Sequence, residues 1–124
     1  MLATRLFEHS TESKSVDAGT VIFNQGDARD VMYAVVEGQV DIVVHGKVVE
    51  TVEPGGIFGE MALIGTEPRT ATAIAKTNSK LVPVDERRFL FLIQQTPNFA
   101  LHVMRVLSDR LRRMDERLKR ATQP

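Results

Sequence analysis

Apolar residues change rhythm part-way along this chain. In the first half they come in short β-branched runs, Val21–Phe23, Val31–Glu37, Val40–Val44 and Lys47–Val52, set off by turn signals. Within one run Val40, Ile42 and Val44 point one way while Asp41 and His45 point the other, the period of a half-buried strand. His45-Gly46 reads as a tight hairpin turn between Val40–Val44 and Lys47–Val52. Thr70–Ala75 and Leu81–Val84 predict two further strands. All eight glycines lie between Gly19 and Gly65, so turns crowd the first half and desert the second. Many short strands with glycine-rich turns predict a sandwich or rolled barrel. The second half reads as helix. Asp85 caps a helix to about Gln95 with Glu86 in its first turn. Thr96-Pro97 breaks it, and a longer helix runs from Pro97 to about Arg120. Leu2–Phe7 predict a short N-terminal helix. The class is α+β, with strands over about 16–84 and C-terminal helices over about 85–120 of a single domain spanning 1–124.

Composition narrows this picture. A length of 124 residues fits one domain, and 43% apolar residues supply its core. A formal net charge of zero gives no global attraction to nucleic acid. The absence of cysteine excludes disulfides, thiol catalysis and thiolate metal sites. No apolar run approaches the roughly 20 residues of a membrane span. The first residues, MLATRLFEHSTESK, lack the apolar centre of a secretion signal. A soluble, cytoplasmic protein is expected.

The chemistry concentrates in Gly59–Thr72, GEMALIGTEPRTAT. Glu60 stands nine residues before Arg69, with the apolar turn Met61–Ile64 and a Gly-Thr-Glu-Pro loop between them. A carboxylate just inside a short helix can accept from a ribose hydroxyl. Arginine presents a planar fork to two oxygens of a phosphate. Backbone N–H groups around Gly59–Met61 and Thr70–Ala71 can add donors, Gly59 allows close backbone approach, and Thr70 adds a hydroxyl. This ordered set fits a sugar joined to a phosphate. The plainer alternative is a surface acid and base flanking a structural turn.

FGEMAL followed by PRTATAIAKT resembles the phosphate-binding cassette of the cyclic nucleotide-binding domain, which catabolite-activator regulators, kinase regulatory subunits and cyclic-nucleotide-gated channels share. AGTVIFNQGD (18–27), YAVVEG from Tyr33 to Gly38 and PGGIFGE (54–60) agree, so the resemblance covers about residues 12–120. It implies an eight-stranded antiparallel, jelly-roll-like β-roll closed by helices. It implies that Glu60 binds the ribose 2′-hydroxyl, that Arg69 pairs with the cyclic phosphate, and that Gly59, Thr70 and Ala71 supply backbone or hydroxyl donors. Met61 and Ala62 match the apolar and small residues that follow the glutamate. The implied ligand is cAMP or cGMP, with cAMP the natural one, and no other cofactor is implied. Two positions depart from the pattern. Gly56 stands where aspartate is frequent. In the last helix Arg113-Met114-Asp115 offers no hydroxyl to a purine. Arg110 or Arg113 is expected near the purine.

Other chemistry recedes. His9, His45 and His102 lack metal-ligand spacing, which opposes a cupin-like enzyme, and no serine or threonine stands in a nucleophile setting. An arginine-paired Glu60 suits binding better than proton transfer, so a non-enzymatic role is expected. The last helix carries Ala100, Met104, Leu107, Leu111, Met114 and Leu118 at heptad spacing, beside a second stripe of Phe99, Val103 and Val106. Two stripes admit a partner helix, giving a homodimer or a docking site for a downstream protein. One wide face buried on the roll is the other reading. From Arg105 to Arg120 the helix holds seven bases and three acids, a solvated face by default. The chain leaves no residues for a helix-turn-helix module, so DNA binding by this chain alone is not expected. The expectation is a free-standing cyclic-nucleotide sensor that signals through its last helix. The alternative is an interaction module that works through that basic helix without a ligand.

Overall fold

The short apolar runs all become strands. The computed structural model describes residues 13–28, 30–64 and 68–122, so the expected helix over Leu2–Phe7 lies outside the described residues. Among them are the strands β1 (Lys14–Val16), β2 (Val21–Phe23), β3 (Val31–Glu37), β4 (Val40–Val44), β5 (Lys47–Val52), β6 (Ile57–Phe58), β7 (Thr72–Ala75) and β8 (Ser79–Asp85). The helices are α1 (Met61–Ile64), α2 (Glu86–Gln95) and α3 (Pro97–Thr122). The strands form two four-stranded antiparallel sheets, ordered β1-β8-β3-β6 and β2-β7-β4-β5, the two halves of a β-roll.

The first sheet is the middle layer. On one face Met32, Ala34, Ile57, Val82 and Val84 pack under Phe99 and Val103 of α3. On the other Val35, Phe58 and Leu81 meet Val40, Val52 and Ala73 of the second sheet. Burial on both faces explains why β3 is apolar from Val31 to Val36. The 45–46 hairpin turns with positive φ at both residues, 49° at His45 and 76° at Gly46, the primed turn whose twist matches its strands.

The helices start and stop where their end chemistry dictates. The Asp85 carboxylate accepts the Arg88 N–H at 2.8 Å, and Thr96 closes α2 by donating its N–H to the Leu92 carbonyl at 2.8 Å. The Phe99 N–H donates to the Thr96 carbonyl at 2.9 Å, which carries the chain straight into α3. The Phe89 and Phe99 rings meet edge to face at 5.8 Å and lock the two helices together.

Several details differ from the sequence expectation, among them the strand expected over Leu81–Val84, which runs from Ser79 to Asp85. β1 and β6 form where the sequence predicts no strand. Lys14–Val16 holds one apolar residue and forms because β8 offers an edge, while Ile57–Phe58 is too short to show alternation. The strand expected from Thr70 begins at Thr72. The segment before it bonds elsewhere: the Arg69 N–H donates to the Asp27 carbonyl at 3.0 Å, and the Arg69 carbonyl accepts from the Gly26 N–H at 2.8 Å. Those bonds tie the 68–71 loop to the β2–β3 turn and bring Arg69 beneath the roll's mouth.

Candidate functional site

A cavity of about 520 Å³ opens between the β4–β5 hairpin, the β6–α1 corner, the 68–71 loop and α3. Ile42, Val44 and Val49 make its apolar side, and Gly59, Glu60, Met61, Arg69, Thr70 and Ala71 make its polar end. Leu107, Arg110, Leu111, Arg113 and Met114 of α3 form the remaining wall. The fold thus gathers the expected site residues around one space. The exception is Ala62, whose side chain lies outside the described residues.

Arg69 is 7% exposed and spends most of its donors on the protein. Nη1 donates to the Gly59 carbonyl at 3.1 Å, and Nη2 to the Val31 carbonyl and, at 3.3 Å, to Asp30 Oδ1. The guanidinium lies 4.0 Å above the Phe23 ring, a cation–π contact. Phe23 in turn meets Tyr33 and Phe58, at 6.2 and 6.0 Å between ring centres. Burial, with Asp30 adding to it, pushes the Tyr33 phenol above its ordinary value, while Arg69 opposes them. The Nε of Arg69 is buried with no hydrogen-bond partner among the described residues. Gly59 makes the packing possible: at φ 73° a Cβ there would sit 2.8 Å from Arg69 Nη1 and 3.3 Å from the Phe23 ring. Gly56, the departure from the family pattern, is equally constrained, since a Cβ would meet Val52 Cγ1 at 2.7 Å and the Glu53 carbonyl at 3.0 Å.

The partner of Glu60 is not Arg69. Glu60 is 3% exposed, and its Oε1 accepts from Nη1 of Arg110 on α3. The carbonyls of Gly59 and Val31 have already drawn the Arg69 fork away. Arg110 also reaches Glu50 on β5, through Nε at 3.2 and 3.0 Å and Nη2 at 2.7 Å, and Nη2 donates to the Ile57 carbonyl. Arg113 pairs with the same Glu50 at 2.8 Å. Burial pulls the Arg110 guanidinium down, but the Glu50 hydrogen bond and the Glu60 charge outweigh it and hold the group above its ordinary value. Glu50 went unread because it appears as one of three polar residues in β5 and stands sixty positions from its partner. Phe23 and Asp30 meet Arg69 only across the fold, far from it in sequence.

The two stripes of α3 separate. Phe99 and Val103 are core, and Val106 and Leu107 pack against it. Met104, Leu111 and Met114 stay exposed at 59%, 66% and 56%. Leu118 lies among the side chains not described. His45 sits at the hairpin turn and His102 on α3, and no three acids or histidines among the described residues cluster as a metal site would need. No described helix is long and apolar enough to cross a membrane.

The family model of the cyclic nucleotide-binding domain matches residues 13–96. A cAMP-dependent protein kinase regulatory subunit of Eremothecium gossypii is 41% identical over 81 residues, 65% of this chain and 18% of that protein. A cyclic nucleotide-gated potassium channel of Mesorhizobium japonicum is 40% identical over 88 residues, 71% of this chain and 24% of the channel. The chain therefore spans a quarter or less of these two relatives. Among solved structures the catabolite activator protein of Thermus thermophilus superposes with a TM-score of 0.80 at 30% identity, covering 98% of this chain and 57% of that one.

Proposed function

The chain belongs to the cyclic nucleotide-binding domain family, and from that membership and the walls of the cavity we propose that it binds a 3′,5′-cyclic purine nucleotide and reports its presence through α3. The observation that carries this reading is Arg69, which lines the cavity and whose buried Nε has no hydrogen-bond partner among the described residues. An unmet buried donor costs about 1–3 kcal/mol, and an anionic phosphate oxygen would satisfy it. Glu60 would accept the ribose 2′-hydroxyl. Gly59, Thr70 and Ala71 would add donors, and Met61 and Ala62 would complete the corner. Arg110 and Arg113 would face the purine from α3. The cavity volume of about 520 Å³ suits such a ligand, since small-molecule sites run from about 300 to 1,000 Å³.

Both cAMP and cGMP are expected to bind, with cAMP the natural ligand. Thermal shift and calorimetric competition between the two test this. Ligand at 100 times its dissociation constant should stabilise the chain by about 2.7 kcal/mol. No stabilisation by either nucleotide would reject the reading, and a preference beyond about a hundredfold for cGMP, or about 2.7 kcal/mol, would reverse the choice between them.

A further inference from the structure

We propose that Glu50 is a positioning residue that keeps Glu60 open to the ligand by taking the fork of Arg110 for itself, an inference that rests on the nucleotide reading above. An arginine and a carboxylate prefer a two-bonded, fork-to-fork pairing. Arg110 lies between two carboxylates and can give its fork to one of them. It gives Nε and Nη2 to Glu50, with contacts of 2.7 to 3.2 Å, and reaches Glu60 only by Nη1 on Oε1. Arg113 holds Glu50 from a second direction at 2.8 Å, so the β5 carboxylate is fixed in place by two cations.

The consequence concerns the ligand. A carboxylate has about four acceptor positions across its two oxygens. With a single contact from Arg110, Glu60 keeps acceptor capacity for a ribose hydroxyl while its buried charge stays paired. Without the Glu50 charge, Nε of Arg110 loses its charged partner and the Ile57 carbonyl still accepts from Nη2. The guanidinium can then turn onto Glu60, the remaining carboxylate within reach, and cover both oxygens. Arg69 is directed elsewhere, with Nη1 on the Gly59 carbonyl and Nη2 on the Val31 carbonyl. Glu50 therefore acts through Arg110 on Glu60, and it anchors α3 to β5 at the same time.

The test is Glu50→Gln in the full chain, with cAMP and its 2′-deoxy analogue as probes. The substitution should weaken cAMP by about tenfold, the loss of one hydrogen bond to a charged group, and the 2′-deoxy analogue by less than about threefold. The discrimination for the hydroxyl should thus collapse. Equal loss on both probes would mean a merely structural role, and unchanged affinities would mean no role; either overturns the proposal. Backbone hydrogen exchange over residues 107–114 without nucleotide supplies an arm independent of binding. Exchange there should quicken in the variant, and an unchanged pattern overturns the proposal. If the wild-type chain binds neither probe, the nucleotide reading falls, and the exchange arm still judges the anchoring of α3 by itself.

Discussion

The protein alone fixes most of the Arg69 side chain. Its fork is fixed by two carbonyls and Asp30, its face rests on Phe23, and Nε has no hydrogen-bond partner among the described residues. A donor held this way need lose little conformational freedom on binding. Arg69→Ala should weaken a cyclic nucleotide at least tenfold, because truncating one partner of a buried charged pair costs about 2–5 kcal/mol. Calorimetry on both proteins checks it, with melting temperatures to confirm that the variant is folded; equal affinities would remove the central assignment. At this scale the sequence was legible where chemistry is local. Gly59, Glu60, Arg69 and Thr70 lie within one short stretch, and the structure brings them to one cavity. Pairing across the fold was not legible. The partner of Glu60 is fifty positions away on α3, and nothing in the spacing of either segment marks the contact.

Elements were readable where their periodicity ran long enough. α2 runs from Glu86 to Gln95, between the caps Asp85 and Thr96, because a side-chain cap and a following proline leave no other choice. β3 and β8 exceed or match their apolar runs. β1 and β6 escaped because pairing with β8 and β3 creates them, and a strand of two or three residues has no period to see. The junction between the β5–β6 turn and α3 adds a titratable group to this framework. Burial lowers the His102 imidazole from its ordinary 6.5, a hydrogen bond to the Gly55 backbone opposes the shift, and Arg105 adds to it. A base with a depressed folded value binds more protons when unfolded. Its contribution is therefore complete above about pH 6.5 and is lost as pH falls through the lower, folded value. The melting temperature should drop between pH 7 and 5.5, and His102→Gln should flatten that part of the profile. An identical slope in both proteins would show that His102 takes no part.

For the whole molecule, the question is what α3 does with the face it keeps. One stripe is spent: Phe99 and Val103 close the roll. Leu107, expected in the outer seam, also packs inward. Met104, Leu111 and Met114 remain exposed, with Leu111 and Met114 also lining the cavity. The same helix therefore touches the ligand space and presents an apolar edge to solvent. A bound nucleotide can favour one helix position only through contacts that differ between states, and the Arg110–Glu60 contact is one that a ribose hydroxyl would change. The charge of the basic face is partly offset within the helix, by Arg112–Asp109 at 2.7 Å and Lys119–Asp115 at 3.4 Å, so a second copy would not meet the full repulsion of its bases. Burying one side chain of this size is worth about 1.5–3 kcal/mol. A symmetric pair would bury two sets of three, against an association cost of about 4–15 kcal/mol. The expected result is a homodimer through α3 whose population depends on concentration and on nucleotide. Leu111→Glu tests it, since position 111 is 66% exposed in the single chain and the substitution should leave the fold intact. In a dimer the same carboxylate would be buried without a partner. Sedimentation with and without nucleotide should show wild type approaching twice the mass of the single chain as concentration rises, to an extent that nucleotide changes, and the variant as a monomer with altered affinity. A wild type that stays monomeric at every concentration would leave nucleotide binding untouched and reassign Met104, Leu111 and Met114 to the docking of a different protein.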